Sequence, residues 1–120
     1  MSNQSTVLDE AVISEVKDMM KDKFPTMLSY FIEDSEMYVK QTEEGFAANS
    51  AEEIVSPAHT LKSSSKQMGA MLLSDIAKDI EANAREIVNG NGELDNLKPR
   101  LPELKDALEK TLEALKSHQN

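Results

Sequence analysis

Apolar side chains recur every three or four positions along most of this chain, and this spacing constrains the fold more than any other feature of the sequence. Such spacing places the apolar side chains on one face of an α-helix. Convincing β-type alternation occurs nowhere, and glycine and proline are scarce and clustered, with four of each. The sequence therefore predicts an all-α protein, an antiparallel up-and-down bundle of long helices with short connections.

Signals for helix starts and stops divide the chain into five helices. Thr6-Val7-Leu8-Asp9 has the spacing of a capping box and is expected to open the first helix, and Pro25 restarts the pattern for the second. Asn49-Ser50 is expected to cap the third helix, and Gly69-Ala70 to form the corner before the fourth. Asn89-Gly90-Asn91-Gly92 is expected to end the fourth helix.

Besides Pro25 at the start of the second helix, prolines occur in two of these helices. Pro57 lies inside the third, where it removes a backbone donor at a cost of about 3 kcal/mol, so we expect a kink or a restart with Ser56 as cap. Pro99 and Pro102 are confined to the first turns of the last helix.

Each of the five helices has an apolar stripe that is expected to face the core. The apolar stripes, in chain order, are Leu8, Val12, Val16, Met19 and Met20; Met27, Leu28, Phe31, Ile32, Ser35, Tyr38, Val39 and Phe46; Ile54, Ala58, Leu61, Ser65 and Met68; Leu73, Ile76, Ala77, Ile80, Ala84, Ile87 and Val88; and Leu97, Leu101, Leu104, Leu108, Leu112 and Leu115.

Charge and composition exclude several classes of function. The formal net charge of −9 argues against nucleic acid and anionic membranes as partners, because their binding draws on Lys and Arg contacts with phosphate. No apolar run approaches the roughly 20 residues that span a bilayer, and residues 1–6 lack the features of a secretion signal. Cysteine is absent. We expect one domain over residues 1–120 and a free-standing, monomeric, cytoplasmic protein.

His59 is the candidate functional residue, because the third helix turns it away from the core. At about 100° per residue, its side chain lies about 140° from the centre of the apolar stripe. Ser63 and Lys66 lie within about 40° of it and Lys62 about 60° to one side. The two ammonium groups would neutralise a phosphoryl group on the imidazole, and the small Ser63 leaves room for another protein's surface. The alternative is an inert surface histidine beside solvated lysines.

Glu81 is the candidate partner of His59. If the third and fourth helices run antiparallel around Gly69, His59 and Glu81 stand roughly level, ten residues before and twelve after that corner. A carboxylate there would accept the Nδ1 proton, fix the tautomer and leave Nε2 as the nucleophile. Lys78, one turn away, would extend the basic patch near Lys62. The spacing leaves open that Glu81 is an ordinary glutamate at the core boundary.

The segment from Ala58 to Ala70 closely resembles the signature of histidine-containing phosphotransfer (HPt) domains. That signature runs roughly His-x-Leu-Lys-Gly-Ser-small-x-x-hydrophobic-Gly, with the phosphorylated histidine first. Weaker similarity covers Leu8-Asp9, Phe31 and Ile80-Glu81. The residues that match the signature are His59, Leu61, Lys62, Ser64, Ser65, Met68 and Gly69. The resemblance implies five helices: a four-helix bundle with an additional N-terminal helix.

The resemblance also implies a function in bacterial multistep phosphorelays. His59 would accept a phosphoryl group from a receiver-domain aspartate and pass it to another, with a hybrid sensor kinase and a response regulator as partners. Magnesium would belong to the receiver, so no cofactor is expected on this chain. No Gly-rich nucleotide loop occurs in the sequence, which favours a phosphocarrier without kinase activity.

Seven further residues complete the expected site. Lys62 matches the family's charged neighbour of the phosphohistidine, and Glu81 matches a glutamate that contacts this histidine in related domains of chemotaxis kinases. The usual glycine four residues after the histidine is replaced here by serine, as in quorum-sensing relay proteins, and this change is expected to narrow the set of receivers. The expected catalytic residues besides His59 are Lys62, Lys66 and Glu81, and the expected partner-binding residues are Val55, Ser63, Gln67 and Lys78.

Two other functions remain as alternatives. A helical adaptor that carries no phosphate would bind a partner through Met19, Met20 and Phe24. A metal-binding bundle would need Glu-x-x-His pairs on two helices. Ser56 stands three residues before His59, and His118 is expected in a frayed C-terminus, so the ligands for a metal are too few.

Overall fold

The computed structural model describes residues 6–119, so most of the N-terminal stretch considered for a secretion signal, residues 1–5, lies outside it. Two 3-10 turns, Lys21–Lys23 and Lys116–His118, adjoin the helices. Between residues 6 and 119, no helix combines the length and apolar character of a membrane span. The α-helices are α1 (Glu10–Met20), α2 (Phe24–Ala47), α3 (Ala51–Gln67), α4 (Met71–Val88), the single-turn α5 (Leu94–Leu97) and α6 (Arg100–Leu115).

The predicted all-α architecture is confirmed. Helices α2, α3, α4 and α6 form a four-helix bundle in which α3 packs against α2 and α4, and α6 packs against the same two helices. Helix α1 is the additional N-terminal helix and contacts α2, with Lys17 Nζ 5.5 Å from the centre of the Phe24 ring at the start of that helix. The most extensive helix–helix contact is between α3 and α4, the pair that carries His59 and Glu81.

The corner between α3 and α4 holds the N-terminal segment against the bundle. Gly69 has a φ of +81°, the left-handed conformation that favours glycine, and a Cβ there would lie 2.9 Å from the carbonyl oxygen of Asp9. The Asp9 N–H donates to the Gly69 carbonyl at 2.7 Å, and the Leu72 N–H donates to the Thr6 carbonyl at 2.9 Å. The corner is therefore both a turn and a docking point for residues 6–9.

These contacts explain why the first helix begins later than its capping-box spacing predicts. The side chain of Asp9, not that of Thr6, caps α1, accepting from the backbone N–H groups of Ala11 and Val12. The Thr6 carbonyl and the Asp9 N–H are occupied by the corner, so residues 6–9 stay outside the helix. Ser50 caps α3 as predicted, accepting from the Glu53 N–H at 3.2 Å.

Helix α3 runs continuously through Pro57, so the predicted restart at Ser56 is wrong. Pro57 is itself buried, and the predicted stripe on both sides of it, Ile54, Ala58, Leu61, Ser65 and Met68, is at most 2% exposed. Burial of this stripe along the whole helix outweighs the single backbone hydrogen bond that proline removes.

Several residues of the predicted stripes lie outside the core. Met19 and Val88 are exposed, while Phe24, proposed as part of an adaptor surface, is buried. On α1 the core positions include Ile13, which the predicted stripe omitted. Leu97 belongs to the separate helix α5, and Leu101, Leu108 and Leu112 are only partly buried. The buried positions of α6 are Leu104, Ala107, Thr111 and Leu115.

His118 is not in a frayed end, contrary to the prediction. It lies in the turn Lys116–His118, its side chain is 11% exposed, and its Nε2 is 3.1 Å from Glu10 Oε1. This contact joins the C-terminal turn to the start of α1.

Candidate functional site

His59 lies near the middle of α3 and points away from the core. Its neighbours Ala58 and Leu61 are buried, and the helical geometry that turns them inward turns His59 outward. The imidazole is 52% exposed, and its Nδ1 is 2.9 Å from Glu81 Oε2 on α4. His59 on α3 and Glu81 on α4 therefore lie side by side, as predicted from their distances to the Gly69 corner.

Glu81 is held by three side chains. Lys62 Nζ is 2.8 Å from its Oε1, while Arg85 donates to Oε2 from Nε at 2.9 Å and from Nη2 at 2.7 Å. The third is His59, through the Nδ1 contact on Oε2. Glu81 is thus not an ordinary boundary glutamate, since its side chain is only 7% exposed and every partner is a basic residue.

These partners keep Glu81 ionised. Burial alone would raise the pKa of Glu81, but the hydrogen bonds from Lys62, Arg85 and His59 outweigh it and lower the pKa from 4.5 to about 2. An ionised carboxylate can only accept hydrogen bonds, so a neutral His59 carries its proton on Nδ1. The Nε2 atom is then unprotonated, and its lone pair is available as a nucleophile.

Comparison with known proteins agrees with this arrangement. The family model described as the Hpt domain matches residues 26–118. The chain belongs to the Hpt domain family. A solved structure, that of histidine-containing phosphotransfer protein B (HptB) from Pseudomonas aeruginosa PAO1, is similar to this chain with a TM-score of 0.86 and 26% sequence identity, over 97% of this chain and 96% of that one. A search of curated proteins gave no match.

Hpt domains share a general function. Hpt domains take part in histidine phosphotransfer within phosphorelays, where they interact with receiver domains and serve as phosphocarriers. Both the exposed imidazole and the buried carboxylate lie within the matched region of this Hpt domain.

The lysines predicted around His59 have different environments in this Hpt domain. Lys62 is 30% exposed and points its ammonium group at Glu81, and the Ser74 hydroxyl donates to its backbone carbonyl at 2.9 Å, which ties α3 to α4. Lys66 and Lys78 are exposed, and neither forms an ion pair with another of the residues 6–119. Lys62 therefore belongs to the Glu81 cluster, whereas the ammonium groups of Lys66 and Lys78 face solvent.

The remaining predicted contact residues lie on the surface of α3. Ser63 and Gln67 are exposed and Val55 is half-buried. Ser63 is one turn after His59, on the same side of α3.

Arg85 is the residue of this cluster that the sequence analysis missed. It lies one turn after Glu81 on α4, and Glu followed four residues later by Arg is a favourable helix pair, which was the available signal. Arg85 also lines a groove between α3 and α4 of about 300 Å³, together with Glu52, Val55, Ser56, Val88 and Asn89. The groove begins one turn before His59.

The described residues offer no alternative metal centre. Within residues 6–119, no group of three or more Asp, Glu or His side chains is arranged to hold a metal ion.

Proposed function

We propose that His59 is the phosphoacceptor of this Hpt domain, receiving a phosphoryl group from a receiver-domain aspartate and passing it to the aspartate of a second receiver. The observation that supports this most directly is the pairing of an exposed imidazole with a buried, ionised carboxylate at 2.9 Å from Nδ1. In a neutral imidazole that pairing leaves Nε2 unprotonated, on a side chain that is 52% exposed, as nucleophilic attack requires.

On this chain, only His59 Nε2 forms or breaks a bond in the transfer. The Nε2 lone pair attacks the phosphorus of the aspartyl phosphate, the N–P bond forms, and the P–O bond to the aspartate breaks with the carboxylate as leaving group. The imidazole ring now carries a positive charge, which Glu81 offsets through the Nδ1 proton. Transfer to the second receiver is the reverse reaction, with its aspartate carboxylate attacking phosphorus.

Charge around His59 favours the arrival of the phosphoryl group. On α3, Lys62 and Lys66 follow His59 by one and two turns, and on α4, Lys78 and Arg85 lie within about one turn of Glu81. On a chain whose net charge is −9, the field of these four basic side chains would attract a phosphoryl dianion toward the imidazole. Magnesium, which we assign to the receiver, would supply further positive charge to the phosphoryl oxygens. The expected contact surface for the receiver includes Val55, Ser63, Gln67 and Lys78.

The partners that fit this chemistry are the receiver domains of a hybrid sensor kinase and of a response regulator. In this proposal the protein is a cytoplasmic phosphocarrier without kinase activity and without a cofactor of its own. The similarity to HptB, a histidine-containing phosphotransfer protein, supports the assignment.

The test uses the two histidines of the chain, with His118→Gln as the control for His59→Gln. Wild-type protein, His59→Gln and His118→Gln are incubated with phosphorylated receivers, and the label is tested for acid lability and base stability. We expect label on wild type and His118→Gln and none on His59→Gln, with helicity and melting of His59→Gln close to wild type. Label on His59→Gln, or unlabelled wild type with several receivers, would contradict the proposal, and the second result would favour the adaptor.

A further inference from the structure

Arg85 shares a single carboxylate oxygen with His59. Two nitrogens of its guanidinium donate to Glu81 Oε2, at 2.9 and 2.7 Å, and the same oxygen lies 2.9 Å from His59 Nδ1. A carboxylate oxygen offers about two lone pairs, so three donors at one oxygen compete with one another. We therefore expect a substitution of Arg85 to change the hydrogen bond that orients His59.

Arg85 also decides the charge of the cluster beside the imidazole. Lys62 on Oε1 and Arg85 on Oε2 together leave the carboxylate of Glu81 overcompensated by one positive charge. Without Arg85, that cluster would be neutral, and a phosphoryl group on Nε2 would have one positive charge fewer beside it. Because Glu81 is buried, these interactions are screened less than they would be at the surface.

The position of Arg85 makes this arrangement accessible to a partner. Its side chain is 54% exposed, and it lines the groove beside Val55 and Val88. A receiver bound over His59 would lie next to the guanidinium. Two roles must therefore be separated: a direct contact with the receiver, and an effect on His59 through Glu81.

From this geometry we infer that Arg85 is a positioning residue for phosphotransfer at His59, acting through Glu81 Oε2. The inference rests on the proposed function of His59. It adds a residue that lies outside the sequence signature and makes the phosphotransfer site a cluster of four side chains.

The first experiment compares Arg85→Met, Arg85→Lys and a matched control. Lys110→Met removes another helix pair of the same spacing, Lys110 with Asp106 at 3.0 Å on α6, far along the sequence from His59. Labelling rates are measured with a phosphorylated receiver and with phosphoramidate, a small donor that needs no docking surface. We expect Arg85→Met to be about fivefold to tenfold slower with both donors, Arg85→Lys to recover most of the rate, and Lys110→Met to match wild type.

The two donors and the lysine variant distinguish positioning from other roles. Slowing with the receiver alone would assign Arg85 to docking and overturn the inference. Wild-type rates for Arg85→Met, or an Arg85→Lys variant as slow as Arg85→Met, would also overturn it, since a charge at Glu81 would then not be what matters. If wild-type protein is unlabelled by either donor, the proposed function itself fails, which is a different result.

A double-mutant cycle tests whether the effect passes through Glu81. If it does, Arg85→Met should change the rate by less than twofold in a Glu81→Gln background, because the shared oxygen no longer carries the charge. The ring nitrogen NMR signals of His59 should move in Arg85→Met and stay unchanged in Lys110→Met. Multiplicative rate effects of the two substitutions, or unmoved His59 signals, would contradict the inference.

Discussion

Replacing Glu81 by glutamine should make the stability of this Hpt domain less dependent on pH. In the folded protein the pKa of Glu81 is lowered from 4.5 to about 2, because hydrogen bonds from Lys62, Arg85 and His59 outweigh the effect of burial. At about 1.36 kcal/mol for each pKa unit, the ionised form contributes about 3 kcal/mol to the free energy of unfolding at neutral pH.

The sign of the pH dependence follows from the lowered pKa. The unfolded chain binds the proton of Glu81 first as the pH falls, so the contribution is complete above pH 4.5 and is lost as the pH approaches about 2. Between pH 7 and pH 3, wild type should therefore lose about 2 kcal/mol of stability through this one residue. Glu81→Gln has no proton to take up at this position and should not show that loss.

Urea unfolding at several pH values between 7 and 3 measures this difference directly. Asp106→Asn is the control, because Asp106 is an exposed residue in a helix pair with Lys110, and such pairs contribute little. From pH 7 to pH 3, the free energy of unfolding of wild type should fall by about 2 kcal/mol relative to that of Glu81→Gln. The difference between wild type and Asp106→Asn should stay nearly constant. The reasoning would be refuted if the difference in free energy of unfolding between wild type and Glu81→Gln were the same at pH 7 and pH 3.

Three further substitutions test the packing and the approach to the site. Ser65→Ala should stabilise the protein by about 1 kcal/mol in urea unfolding, because the buried Ser65 hydroxyl has no hydrogen-bond partner among residues 6–119; lower stability would show that the hydroxyl is satisfied. Gly69→Ala should cost more than about 2 kcal/mol, since Gly69 has a φ of +81° and a Cβ would lie 2.9 Å from the Asp9 carbonyl oxygen; a cost below 1 kcal/mol would contradict the tight corner. Ser63→Glu should block labelling by a receiver while leaving melting unchanged, and an active variant would mean that this position does not face the partner.

The inward face of α3 and the level placement of His59 and Glu81 could be predicted because both follow from local rules. Helical periodicity alone assigns Ile54, Ala58 and Leu61 to the core, and all three are at most 1% exposed. Counting residues from the Gly69 corner then sets which positions of α3 and α4 lie side by side, since both helices have the same rise per residue.

Other features depend on contacts between distant parts of the chain and could not be predicted from the local pattern. The start of α1 is set by backbone hydrogen bonds between residues 6–9 and the corner, which capping rules do not include. His118 pairs with Glu10 across 108 residues of sequence. Arg85 was missed because its pair with Glu81 looks like any surface helix pair until the burial of Glu81 is known.

Glu81 is the one charged residue among residues 6–119 that is buried, and the fold does not require it there. The pH dependence discussed above compares ionised with protonated Glu81, whereas the bundle itself requires only a side chain that packs on this flank of α4. A buried ion cluster is rarely more stable than apolar residues of similar size, so stability alone does not explain three basic side chains around one carboxylate. Natural chains depart from the rules of core packing mainly at functional sites, and this departure lies 2.9 Å from the His59 imidazole. Under the proposed function, the cluster is therefore explained by its effect on His59 rather than by what it adds to the bundle.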